Sequence, residues 1–147
     1  MRWRESLATG VKELDLQYAQ LFGEIEHTSR QIMRDRKGFS ISKHIAELAE
    51  KFNEHFEYEE AMMKELGYPY VFQHQYSHQK LIEHFTEVMD AFMSDVDSYP
   101  SDYIQRSVSN WFVKHIISYD KSFADFYNSR QNWDGDVDEV PVPMVLE

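Results

Sequence analysis

The sequence contains no cysteine, which excludes disulfides, thiolate metal sites and cysteine nucleophiles together. Four prolines and five glycines are too few for the many tight turns of a β-sandwich or barrel. Positive charge is in the minority: 15 Lys and Arg stand against 26 Asp and Glu, leaving a formal charge of −11. Phosphate binding depends on clustered Lys and Arg, so neither nucleic acid nor an anionic membrane surface is an expected partner. No apolar run reaches the roughly 18 residues of a spanning helix. The start, Met1-Arg2-Trp3-Arg4-Glu5-Ser6, lacks the apolar core of a signal peptide, and a cytoplasmic location is expected.

Aromatic residues, in contrast, make up 15% of the 147 residues, a share that one small domain would most simply use to wall a dry interior. Their spacing is helical. From Val11 to about Lys37, Val11, Leu14, Tyr18, Leu21, Phe22, Ile25, Ile32 and Met33 recur near a 3.6 period, with Gly38 as a left-handed cap. Ser40 or Ser42 would cap a second helix, whose stripe runs Ile41, Ile45, Leu48, Phe52, His55, Phe56, Glu59 and Met63 until Gly67-Tyr68-Pro69 stops it. A third, from about Tyr70 or Phe72 to Asp97, carries His74, His78, Leu81, Phe85, Val88 and Phe92 on one side. A fourth runs from about Asp102 to Ser129, with Ile104, Val108, Phe112, His115, Ile116 and Phe123 as its core face. Short turns between four such helices predict an all-α, up-down-up-down four-helix bundle. It spans residues 1–133, with residues 1–10 an extended arm anchored by Trp3 and residues 134–147 an acidic, extended tail.

Polar residues interrupt these apolar stripes where chemistry is expected. His55 and Glu59 are one helical turn apart and share a face, as do His74 and His78. His115 lies on the fourth stripe. A lone histidine on such a face is ordinarily a satisfied core residue, but three helices carry one here, and a buried Glu59 is costly without a cation. Nitrogen and oxygen donors without sulfur suit iron, with manganese or zinc as alternatives. The remaining pair is awkward: His115 and Asp120 are five apart, about 140° around an ideal helix, and Tyr119 is the more natural i+4 neighbour. His27, His44 and His84 read as surface residues, and Glu57 and Glu60 as flanking positions facing solvent or adjacent helices.

The stretches Gly10-Val11-Lys12-Glu13-Leu14-Asp15-Leu16-Gln17, His55-Phe56-Glu57-Tyr58-Glu59-Glu60, Gly67-Tyr68-Pro69, His74 through His78, and Trp111-Phe112-Val113-Lys114-His115-Ile116 with Asp120 together resemble the hemerythrin family. The likeness runs from Trp3 to about Tyr127, and myohemerythrin exemplifies the up-down-up-down topology. The resemblance implies two iron ions bridged by Glu59, Asp120 and an oxo or hydroxo group. His74, His78 and His115 would complete one iron. His55 and a residue of the first helix would hold the other, which meets dioxygen or another small diatomic or peroxide ligand. The implied role is oxygen carriage, storage or sensing in a monomer or weak homo-oligomer.

One position departs from the family. Where histidine should follow Leu16-Gln17, this chain has Tyr18. As a phenolate ligand, Tyr18 would lower the charge of the centre by one unit and favour the ferric state, shifting the function toward a redox enzyme of oxidase, peroxidase or nitric-oxide reductase type. As a neutral phenol it would be a hydrogen-bond donor beside an open position. A third outcome is a mononuclear iron site, and a mixed Fe/Mn pair also fits the donor set.

Overall fold

The computed structural model describes residues 5–131. The Trp3 arm and the acidic tail expected at 134–147 lie outside the described residues. The long elements are α1 (Lys12–Arg34), α2 (Gly38–Leu66), α3 (Val71–Ser94), α4 (Tyr103–His115) and α5 (Lys121–Gln131), the last two joined through a π-helical turn at Ile116–Asp120. Together α4, the π turn and α5 make the fourth rod of an all-α four-helix bundle, with no strand among the described residues. Short connections make chain neighbours antiparallel, α2 packing on α1 and α3 while α1 closes against α4. The expected stripes point inward: Leu14, Ile25, Ile41, Ile45, Phe52, Phe85, Phe92 and Phe112 are fully buried. Among the described residues no helix is long and apolar enough to cross a membrane.

Local chemistry explains where the helices stop. Gly67 takes φ +70°, its N–H reaching Lys64 O and Met63 O, while Tyr68 N–H closes on Met63 O, so the expected glycine cap of α2 is present. The expected cap at Gly38 is not. Gly38 is the first residue of α2, with ordinary φ, and a Cβ there would meet Phe92 O at 2.7 Å; close approach to the end of α3 requires glycine. Nor do Ser40 or Ser42 cap α2: no side chain caps it, and Ser42 Oγ donates to Met89 O across the α2–α3 seam. Helix α1 ends at Arg34 rather than Lys37, and Met33 faces solvent. The N-terminal segment is not wholly extended, because Glu5–Leu7 forms a 3-10 turn that buries Leu7.

Candidate metal centre

Five side chains from three rods converge: Glu59 on α2, His74 and His78 on α3, and His115 and Asp120 on the fourth rod each offer a donor atom within 4.8 Å of all the others. All five are buried, Glu59 and Asp120 completely. Glu59 Oε1 lies 2.7 Å from His74 Nε2 and 3.2 Å from His78 Nε2. Asp120 Oδ1 lies 2.8 Å from His74 Nε2 and 3.0 Å from His115 Nε2. These short contacts lack hydrogen-bond geometry. Among the described residues, eight of the twelve buried side-chain N and O atoms without a hydrogen-bond partner belong to this cluster and the adjoining His55. Native interiors rarely tolerate such a concentration, so nitrogen and carboxylate lone pairs aimed at common points fit a cation better than one another.

The π turn brings the awkward pair together. Lys121 N–H bonds Ile116 O, an i→i+5 closure that stacks residues five apart and returns Asp120 to the face of His115. A π turn amounts to one residue more than an α-helix needs. Deleting Ile117, which is half exposed, should leave His115 and Asp120 as an ordinary i, i+4 pair on the same face. Such a deletion is expected to keep the metal stoichiometry and shift the melting temperature by no more than about 5 °C. Metal analysis with thermal melting checks it.

Tyr119, the alternative partner, presents its ring instead: it stacks on His115 at 5.3 Å and 18°. Trp111 covers the other face of His115 at 4.6 Å and 10°, and Phe56 stacks on His78 at 3.8 Å. The far ring nitrogens of His55, His78 and His115 are held as well. His55 Nδ1–H donates to Gln17 Oε1, and His78 Nδ1–H to Glu60 Oε2, each at 2.7 Å. Ser77 Oγ lies 2.7 Å from His115 Nδ1. These partners fix Nε2 as the nitrogen turned toward the centre. Sequence reading missed the roles of Gln17, Ser77 and Glu60. Glu60, expected to flank the stripe and face solvent or adjacent helices, turns to the adjacent α3, where it is half-buried, bonded to His78 and Gln75, and lines a surface recess of about 330 Å³ beside His78. The one available signal was adjacency: Gln17 precedes Tyr18, Glu60 follows Glu59 and Ser77 precedes His78. His84, expected at the surface, is also half-buried, 3.3 Å from Ser107 Oγ.

His55 and Tyr18 stand on the opposite side of Glu59. Tyr18, fully buried on α1, donates its hydroxyl to Glu59 Oε2 at 3.0 Å, and His55 Nε2 is 3.6 Å from that same oxygen. Glu59 is thereby divided. Glu59 Oε1 and Asp120 Oδ1 belong to the three-histidine side, leaving Oε2 facing His55 and Tyr18 and Oδ2 uncommitted.

This arrangement of nitrogen and carboxylate in an all-α bundle can be set beside known proteins. The chain is 25% identical over 130 residues to the bacteriohemerythrin of Stenotrophomonas maltophilia (strain R551-3), covering 88% of this chain and 83% of that protein. It is 26% identical over 123 residues to the bacteriohemerythrin of Pseudomonas aeruginosa (strain LESB58), covering 84% and 78%. The corresponding protein of Campylobacter jejuni (subsp. jejuni serotype O:23/36, strain 81-176) is 27% identical over 117 residues, covering 80% and 87%. The chain is hemerythrin-like. No family model and no solved structure matches it. With the relatives, the buried cluster makes this a hemerythrin-like metal-binding protein, and the donor set fits iron.

The electrostatics of the hemerythrin-like site oppose one another. Burial pushes His74 down, but Glu59 and Asp120 outweigh it and raise the imidazole to about 10. Burial lowers His115 to about 4 despite Asp120. Tyr18 is raised well above the ordinary phenol by burial and by the charges of Asp120 and Glu59. In protein stripped of metal, the His74 contribution to stability is complete below about pH 6.5 and is lost as pH rises toward about 10. His115 behaves oppositely: the unfolded chain takes up its proton first, so stability falls as pH drops from about 6.5 to 4. Urea midpoints in the presence of chelator should peak near pH 6.5, with about 2 kcal/mol lost by pH 5. A profile flat between pH 5 and 7 would contradict these assignments.

Proposed function

We propose that the chain holds two iron ions and binds dioxygen or a related small molecule at them. The observation that carries this reading is the division of Glu59, whose two oxygens face two sides of one buried centre, with Asp120 Oδ2 buried and without a hydrogen-bond partner beside it. His74, His78 and His115 with Glu59 Oε1 and Asp120 Oδ1 would hold one ion. His55 with Glu59 Oε2 and Asp120 Oδ2 would hold the other. Bound iron would supply electron exchange with dioxygen. Gln17, Glu60 and Ser77 keep Nε2 of three histidines directed at the centre, so that no imidazole must reorient on binding. Phe56 and Phe112 pack against His55, with Phe52 behind them, and keep bulk water from it.

A redox enzyme of oxidase, peroxidase or nitric-oxide reductase type is the second reading. Tyr18 favours it, because its hydroxyl puts a proton donor 3.0 Å from Glu59 on the His55 side. Reconstitution with ferrous iron, metal analysis, and repeated cycles of oxygenation and evacuation separate the readings. Two irons per chain and a spectrum that returns on each cycle support binding; irreversible oxidation after the first exposure supports redox chemistry. Iron content near zero would overturn both.

A further inference from the structure

We infer that the two halves of the centre load unequally, the three-histidine half taking a divalent cation tightly and the His55 half only at much higher concentration, because Tyr18 already occupies the Glu59 oxygen that the second ion needs. The inference rests on the two-ion reading above and concerns this chain's own departure from the histidine pattern. The donors are divided three nitrogens to one. His74, His78 and His115 converge with Glu59 Oε1 and Asp120 Oδ1, all within 4.8 Å of one another. That set satisfies a cation without any contribution from α1.

On the other side His55 supplies the sole nitrogen, and it stands 3.6 Å from Glu59 Oε2 while the Tyr18 hydroxyl stands at 3.0 Å. Tyr18 cannot swing aside cheaply. Its ring packs edge-on against His55 at 5.2 Å and against Phe112 at 5.7 Å, in a fully buried position. His55 is equally fixed, by Gln17. An ion entering this half must displace a charge-assisted hydrogen bond before it gains Oε2. Such a bond is worth a factor of roughly 10–100 in affinity, and the difference in nitrogen donors widens the gap further.

Co²⁺ added to the metal-free full chain, followed by calorimetry and visible absorption, tests the inference. The wild-type protein should take up one Co²⁺ per chain tightly and a second at least about 10-fold more weakly. Tyr18→Phe keeps the ring but removes the donor, and should tighten the second step; Tyr18→His should give two tight steps. Two equal steps in the wild-type protein would overturn the inference, as would a second step weakened by Tyr18→Phe, the result expected if the phenol were itself a ligand. Because the wild-type titration decides by itself, a variant that fails to fold does not protect the idea. Absence of any tight step would instead overturn the two-ion reading beneath it.

Discussion

Glu59→Gln is expected to abolish metal binding in both halves of the centre at concentrations that saturate the wild-type protein. Most ligand substitutions should be felt on one side, since in the proposed two-ion arrangement His55 would serve one half and His74, His78 and His115 the other. Glu59 is different, because its two oxygens stand in different halves: Oε1 beside His74 and His78, Oε2 beside His55 and Tyr18. The amide removes the charge and replaces one acceptor oxygen with a donor nitrogen. Glu60→Gln supplies the scale. Glu60 reaches the centre only through the far nitrogen of His78, and loss of such an outer partner ordinarily costs about 10–100-fold in metal affinity. Glu59→Gln should exceed that range, and metal analysis after gel filtration reads the difference. A variant that kept one tight ion per chain would show that Glu59 serves a single half.

Chelation of the iron-loaded protein should lower its melting temperature by about 10 °C when the loaded state is measured at roughly 1,000 times the dissociation constant. Binding to the folded chain alone contributes RT ln(1 + [L]/Kd), about 4 kcal/mol at that excess, and a chain of this size shifts by about 2–4 °C per kcal/mol. The structure explains why the effect should be specific. Glu59 and Asp120 are fully buried, and Glu59 Oε1, both Asp120 oxygens and the Nε2 atoms of the four histidines have no hydrogen-bond partners, so a cation relieves several desolvation costs at once. Differential scanning with and without chelator checks this, and the shift should vanish in Glu59→Gln. An unchanged shift in that variant would place the bound metal elsewhere.

Much of this architecture was legible in the residues, for identifiable reasons. Helix existence follows from periodicity, which set the inward face of α1 through Leu14, Tyr18 and Ile25 and that of α2 through Ile45, Phe52 and Glu59. The i, i+4 spacing of His74 and His78 likewise required nothing beyond ideal geometry. What escaped depended on tertiary context. Gly38 resembles a cap in sequence, yet the carbonyl of Phe92, distant along the chain, dictates the glycine. By ideal α-helical rotation Asp120 falls off the face of His115, and only the Lys121–Ile116 hydrogen bond reveals the π register that restores it. Gln17, Ser77 and Glu60 carry no periodic signal; each acts through a ring nitrogen on another helix.

The stack on His115 has a photophysical consequence. Trp111 is the one tryptophan among the described residues, and its indole lies parallel to that imidazole with ring centres 4.6 Å apart. An open-shell ion held by His115 Nε2 would therefore sit a single ring away from an emitting chromophore, close enough to drain its excited state. The emission of Trp111 should then dim as the three-histidine half fills and respond far less to the His55 half, giving the bundle an intrinsic optical gauge of which side is occupied.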